Sequence, residues 1–399
     1  GLGDVYKRQN LPHASDAKDM PWTFQSSSSR FDDLRRGTLH VAWLYEKCDT
    51  STFRYRCYNP PATLLNARPD IGAAWFERTD IPALIKEIAK IDMLVICRFR
   101  YDAALARLIV AAKAAGTKLI FDCDDFVFDI RQVHLVFDTL DQPTDADIHW
   151  DFWFAYFGRM AATAHLCDAA ITTNEFLAAR IADAFPGMPT SIIPNYFAPD
   201  QEDYSRRLLK EKEARQFAGT GNITIGYFSG TPTHNKDFAI AAPALARLLD
   251  ADPNITLRIV GFPPPSEVLK PFADRLDVIP LQDPISLQRV IAEAEINIAP
   301  LQENLFTSCK SELKFFEAAA VGTWTIASPT PPFEKAIENG VSGRLARAHE
   351  WDEALSEAVK LVRVPETYAP IARKVAQQVY RDYGWHGQTG CILQALGAN

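Results

Sequence analysis

SCKSELKFFEAAAVGTWTIAS, residues 308–328, holds two periods in one run. Counted from Lys310, Leu313, Phe316 and Ala320 fall at i, i+3 and i+7 of one apolar helical stripe. Gly322 is a helix-stop signal, and Thr323-Trp324-Thr325-Ile326 beyond it is β-prone. Helix, glycine, strand is the unit from which helix-covered parallel sheets are built. Glu317 lies inside the apolar stripe, four residues after Leu313. A buried carboxylate is costly unless something hydrogen-bonds it, so this residue needs a partner.

The same alternation extends outward in both directions. Upstream in the same half are the apolar runs ITIGYFSG (223–230), ITLRIVGF (255–262), LDVIPLQ (276–282) and EINIAPLQ (295–302), followed by TWTIASP (323–329). The other half carries LHVAWLY (39–45), DMLVICRF (92–99), KLIFDCDDF (118–126), DAAITTN (168–174) and TSIIPN (190–195). Short apolar runs of this kind suit strands buried on both faces. Between them, DAALARLIVAAKAAG places Leu105, Leu108, Ile109 and Ala112 on one helical face, with Asp102 to cap its start and Gly116 its end. The expected organisation is therefore a polar lead-in over 1–37 and an α/β domain over 38–197. A charged, exposed linker with a short helix follows over 198–222, then a second α/β domain over 223–365 and C-terminal helices over 366–399, placed to pack back on the first domain. The opening GLGDVYKRQ reads as translated sequencing-adapter read-through, not a native start, and is set aside.

Bulk properties narrow the function. A chain of 399 residues exceeds one ordinary core, and 47% hydrophobic with 23% charged residues is a globular composition. The seven cysteines are odd in number and scattered without paired metal spacing, which points to a reducing cytoplasm and away from zinc. A net charge of −8 argues against broad nucleic-acid binding. No apolar run reaches the length of a membrane span, which leaves room only for peripheral contact with the inner face of a membrane. G-x-G-x-x-G after a strand, the phosphate-loop lysine motif, G-x-S-x-G and H-E-x-x-H are all absent. Dehydrogenase, phosphate-loop ATPase, serine hydrolase and zinc protease readings weaken together.

Two Rossmann-like halves leave a cleft, and ligands bind outside the carboxyl ends of such strands. Four stretches stand there. GYFSGTPTHNKDF (226–238) carries Gly230, Thr231, Thr233, His234 and Lys236 between a strand and a helix. Backbone N–H groups, hydroxyls and a lysine in that place suit phosphate, though an ordinary βα loop with a solvated lysine reads the same way. FTSCKS places Lys310 and Ser311 at the start of the helix expected over 310–321, where the helix dipole is positive. A diphosphate there would set an attached ribose near Glu317; the plainer reading pairs Glu317 with a buried cation. YEKCDTSTFRYRCYNPP (45–61) follows the first strand and brings Arg54 and Arg56 out of a small-residue loop, either to phosphate or acceptor or to surface ion pairs. In FDCDDF (121–126), Asp122 and Asp124 share one strand face with Asp125 opposite, so the three do not converge on a metal; a cap or a polar contact from Asp124 to an acceptor is favoured.

KSELKFFEAAAVGTWTIAS…FEKAIENGVSGRLA (310–346) and IGYFSGTPTHNKDFAIAAPAL (225–245) together resemble the nucleotide-sugar region of group 1, family-4-type glycosyltransferases, which have the GT-B fold. STFRYRCYNP and LIFDCDDFVF resemble a bacterial branch of that group, and SIIPNYF resembles its entry to the interdomain linker. The resemblance implies two Rossmann-like domains facing across a cleft. It implies a retaining transfer of a sugar from a nucleoside diphosphate to an acceptor hydroxyl of a glycan or lipid-linked glycan, in polysaccharide synthesis, without a metal or other cofactor. It casts Lys236 as the basic residue on the donor diphosphate, with Lys310 assisting, Ser311 among the helix-mouth contacts, and Glu317 as the second glutamate of E-x7-E, on the ribose. The first glutamate of that motif, which in the family contacts the donor sugar, is replaced by Cys309, and Thr231 stands where the family has an arginine. Two other functions fit the same fold: a nucleotide-sugar epimerase, which needs acid/base groups facing the sugar ring, and a non-catalytic nucleotide or glycan binder, which Cys309 motivates.

Overall fold

The computed structural model describes residues 20–48, 51–217, 221–230, 234–262 and 266–398. The adapter-like N-terminus, Asp49 and Thr50 of the small-residue loop, and the candidate site residues Thr231 and Thr233 lie outside the described residues.

Among the described residues, twelve strands form two six-stranded sheets, each wholly parallel. The first is built from β1 (Leu39–Tyr45), β2 (Ile71–Glu77), β3 (Met93–Cys97), β4 (Lys118–Asp122), β5 (Ala169–Thr172) and β6 (Thr190–Ile192). The second takes β7 (Ile223–Ser229), β8 (Ile255–Gly261), β9 (Leu276–Ile279), β10 (Ile296–Ala299), β11 (Trp324–Ala327) and β12 (Arg344–Leu345). Their orders are β2-β1-β3-β4-β5-β6 and β12-β11-β10-β7-β8-β9. In each, connections leave one central pair of strands in opposite directions: β1 and β3 in the first lobe, β7 and β10 in the second. The crevice outside the carboxyl ends of such a pair is where open α/β sheets bind ligands.

The expected strands are present, and their interiors are buried because helices cover both faces: Val41 to Leu44, Leu94 to Cys97 and Leu119 to Phe121 are fully enclosed. The helix Ala103–Ala115 is capped by Asp102, whose side chain accepts from the N–H of Ala104 and Leu105, and ends on Gly116 at φ 79°. β2 is a strand that alternation alone does not disclose. Its Gly72-Ala73-Ala74 has weak β propensity, yet β1 pairs with it over seven residues. Gly72 is also required by closeness, since a Cβ there would lie 2.0 Å from the Leu34 carbonyl oxygen.

Two segments read from sequence as loose are built into the lobes. Ser27–Leu34 is a helix capped by Ser26, and it buries Arg30, Phe31 and Leu34. Arg30 holds Asp80 through two bonds of 3.0 and 3.2 Å and stacks on Trp75. The charged stretch after residue 198 is a 16-residue helix, Pro199–Ala214, and not an exposed linker. Tyr204, Leu208 and Lys212, spaced four apart, turn inward to the second lobe. The chain crosses between lobes through buried Ile193, Tyr196, Phe197 and Ala198. The C-terminal helices divide between the lobes. Pro365–Tyr383 packs on the helix Leu313–Ala320, while Trp385–Leu396 packs on the helix Asn59–Ala67 and on β6.

Candidate functional site

One cavity of about 630 Å³ lies between the lobes, within the size range of small-molecule sites. Its walls come from the carboxyl ends of both central strand pairs. Tyr45 ends β1 and Arg98 follows β3; Phe228 and Ser229 end β7, Ala299 ends β10 and Leu301 follows it. Of the residues singled out from sequence, Arg54, Asp124, Gly230, His234, Lys310, Ser311 and Glu317 line it together. Four cationic side chains, Arg54, Arg98, Lys310 and Lys314, face three carboxylates, Asp124, Asp125 and Glu317.

Glu317 sits in the second turn of the helix Leu313–Ala320 and is 3% exposed. Its Oε1 accepts from Tyr55 Oη at 2.5 Å, Arg54 Nη2 at 3.0 Å and Gln201 Nε2 at 3.3 Å. Those donors come from the first lobe and from the interlobe helix, so a buried cation does satisfy this carboxylate. Among the described residues Oε2 takes no hydrogen bond, and the side chain still borders the cavity. Arg54 is 6% exposed, and its Nε and Nη1 have no hydrogen-bond partner among the described residues.

The helix expected over 310–321 starts later. A short helix, Leu305–Ser308, ends at Cys309, and the main helix opens only at Leu313. Lys310 and Ser311 therefore occupy the turn before it. Lys310 Nζ lies 4.0 Å from Asp125 and 5.0 Å from the centre of the Phe306 ring. Ser311 Oγ accepts from Asn195 Nδ2 at 2.9 Å. Cys309 is fully buried among Phe306, Cys123 and other apolar groups, outside the cavity wall. Burial lifts its thiol well above the usual range.

His234 precedes the helix Asn235–Ala251, with Nδ1 2.8 Å from Asp237. Asp237 also accepts from the backbone N–H and side-chain amide of Gln302, both at 3.0 Å. Burial lowers the His234 pKa, and nearby Lys310 and Lys314 push the same way against the Asp237 bond. An imidazole kept neutral in this way would donate its Nδ1–H to Asp237 and leave Nε2 as an acceptor.

Two expectations are corrected. Lys236 does not line the cavity. It lies at the rim, 39% exposed, donating to the Asp138 carbonyl at 2.8 Å and pairing with Asp138 and Asp141 of the opposite lobe at 3.1 and 3.6 Å. Arg56 does not line the cavity either, but is buried and paired in the first lobe. It holds both oxygens of Asp122 at 2.9 Å and the Ile193 carbonyl at 2.5 Å. The reason is that 54–58 forms a π-helical turn leading into the helix Asn59–Ala67, not a loop. Residues two apart on a helical turn point nearly opposite ways, so Arg54 reaches the cavity while Arg56 enters the core. With Asp122 committed to Arg56 and β4 ending there, the chain turns and brings both Asp124 and Asp125 to the cavity.

Arg98 is a site residue that the sequence reading passes over as the end of a strand. It has φ 38°, uncommon for a residue with a Cβ. Its guanidinium bonds Asp124 at 3.1 Å, Thr52 Oγ1 at 3.2 Å and Tyr156 Oη at 3.2 Å. The available signal was an arginine directly after an apolar strand at a topological switch.

The family model described as "Glycosyl transferases group 1" matches residues 222–363, the second lobe. The HepE protein of Anabaena (Alr3699), solved with UDP and glucose, superposes with a TM-score of 0.58 at 14% identity, covering 90% of this chain and 99% of that one. The fold is GT-B. Sucrose-phosphate synthase from Thermosynechococcus elongatus shares it with a TM-score of 0.58 at 13% identity, over 90% of this chain and 97% of the other. So does a point mutant of S. aureus TarM, solved with Fondaparinux, alpha-GlcNAc-glycerol and UDP. Its TM-score is 0.54 at 12% identity, over 80% of this chain and 58% of that one. No curated protein sequence matches the chain. Among the described residues, no helix of this GT-B protein is long and apolar enough to cross a membrane.

Proposed function

We propose that this protein is a glycosyltransferase that moves a sugar from a nucleoside diphosphate to an acceptor hydroxyl, with retention at the anomeric carbon. The observation that carries the reading is a cation-rich cavity at both switch points, in a chain whose second lobe matches group 1 glycosyl transferases. UDP in the HepE and TarM structures supports a uridine nucleotide as the first donor class to try.

In this reading the second lobe holds the donor. The free Oε2 of Glu317 accepts from the ribose hydroxyls, and Lys310 and Ser311 face the diphosphate. As the bond from the anomeric carbon to the phosphate oxygen breaks, negative charge grows on the leaving group, and Lys310 stabilises it. The acceptor oxygen bonds to the anomeric carbon, and its proton passes to the leaving phosphate oxygen, so no side-chain nucleophile is needed. Arg98, Asp124 and Tyr156 stand on the acceptor side. Exposed Ile148, Phe152 and Phe154 share a helix with cavity-lining Trp153 and Tyr156, which fits a glycan acceptor carrying an apolar part, such as a lipid-linked one. Such an acceptor would bring the protein to the cytoplasmic face of a membrane, in polysaccharide synthesis.

A panel of UDP-, GDP- and ADP-sugars, read by thermal shift and by release of nucleoside diphosphate, tests the assignment. One nucleotide series is expected to raise the melting temperature and to be consumed, with turnover surviving EDTA. A panel that neither stabilises nor reacts would remove the proposal. NMR of the first-formed product reports retention or inversion.

A further inference from the structure

Lys314 is a cavity cation without an assigned task. It is the second residue of the helix Leu313–Ala320, three before Glu317 and four after Lys310. Its backbone is anchored, because its carbonyl accepts from Asn297 Nδ2 at 3.0 Å and Asn297 also bonds Thr325 on the neighbouring strand. Its side chain borders the cavity, with Nζ 5.0 Å from the centre of the Tyr227 ring. Among the described residues the ammonium has no hydrogen bond, and no carboxylate lies within ion-pair distance. The other lysines nearby differ: Lys236 has Asp138 and Asp141, and Lys310 has Asp125 at 4.0 Å.

An ammonium partly withdrawn from water without a counter-ion is held at a cost. Burial pushes Lys314 down to about 8, with Asp237 and Glu317 only partly opposing and Lys310 adding repulsion. Two ammonium groups, Lys310 and Lys314, border one space on the second-lobe wall, next to the imidazole of His234. An anion carrying two or more charges would relieve their mutual repulsion, and a side chain anchored on a helix needs little ordering to meet it. Glu317, one turn further along, faces the same cavity, so an anion at Lys314 and a sugar hydroxyl at Glu317 can belong to one molecule.

We propose that Lys314 binds the diphosphate of the donor, the task that sequence pattern alone gives to Lys236. The inference rests on the glycosyltransferase reading and adds a specific residue to it.

Ligand-observed NMR and calorimetry would compare UDP with uridine, GDP with guanosine and ADP with adenosine. The proteins are the parent, Lys314→Met, Lys314→Gln, Lys314→Arg and Lys236→Met, each checked for folding by circular dichroism. Loss of one charged hydrogen bond predicts a fall of about 10- to 100-fold in diphosphate affinity for Lys314→Met and Lys314→Gln. Nucleoside affinity should stay within about twofold, Lys314→Arg should recover part of the loss, and Lys236→Met should match the parent. Parent-like diphosphate binding in the folded neutral variants would overturn the inference and leave the glycosyltransferase reading intact. Equal losses for nucleoside and diphosphate would assign Lys314 a structural role and also overturn it. A parent that binds no nucleoside diphosphate would remove both.

Discussion

Replacing Arg56 with methionine separates the tertiary reading of this residue from the sequence reading. The guanidinium holds both Asp122 oxygens at 2.9 Å, with side-chain exposures of 1% and 2% for the pair. It also donates to the Ile193 carbonyl at 2.5 Å, at the crossing between lobes. Arg56 is the side chain that hydrogen-bonds the Asp122 carboxylate among the described residues. Its loss leaves a buried carboxylate unpaired, at about 3–5 kcal/mol. Typical domains have about 5–15 kcal/mol in total, so the first lobe should unfold at clearly lower urea. Trp22, Trp43 and Trp75 are buried in one cluster of that lobe and give its fluorescence transition. Removing the carboxylate as well, in Arg56→Met/Asp122→Leu, should restore most of the loss, because a matched apolar pair often costs little relative to a buried ion pair. The double-mutant cycle should then show a coupling of about 2–3 kcal/mol. An Arg56→Met protein as stable as the parent but weaker in donor or acceptor binding would refute the structural assignment and restore the sequence expectation.

Lys236→Ala removes only exposed rim pairs, so stability should change by about 0–1 kcal/mol and kcat/KM for donor by less than about threefold; a loss above tenfold would put the lysine back at the diphosphate. Glu317→Gln should weaken donor binding and, by leaving the Arg54 charge unmatched, raise amide exchange over 53–58; unchanged donor affinity would end the ribose assignment. Lys212 donates to Ala294 O, Gly322 O and Thr323 Oγ1 at 3.0, 3.1 and 2.9 Å, and burial pushes it down to about 7. The unfolded chain keeps this proton to about pH 10.4, whereas the folded one releases it above about 7. Lys212 therefore adds a stability term that rises with pH across that window, by at most about 1.4 kcal/mol per unit. Urea unfolding at pH 7.5 and 9 should show a smaller pH slope in Lys212→Met than in the parent, and equal slopes would refute the argument.

The alternation of apolar runs with helical stripes made the two parallel sheets legible, because burial on both faces marks each strand within its own few residues. β2 escaped since Gly72-Ala73-Ala74 lacks that mark, and its place next to β1 supplies the pairing instead. Ser27–Leu34 escaped because its serines hide a stripe of only Phe31 and Leu34. At the site, the sequence alone determined which loops follow the central strands, and so which residues were eligible. It could not separate the places of Arg54 and Arg56, or of Lys236 and Lys310, since each pair shares chemistry and neighbourhood. Direction around a helix and partners across the cleft separated them. Glu317 finds Arg54 263 residues away in the chain. Periodicity is set by neighbours in sequence, whereas the partner of a buried charge is set by which surfaces meet when the lobes fold, and that only the tertiary structure decided.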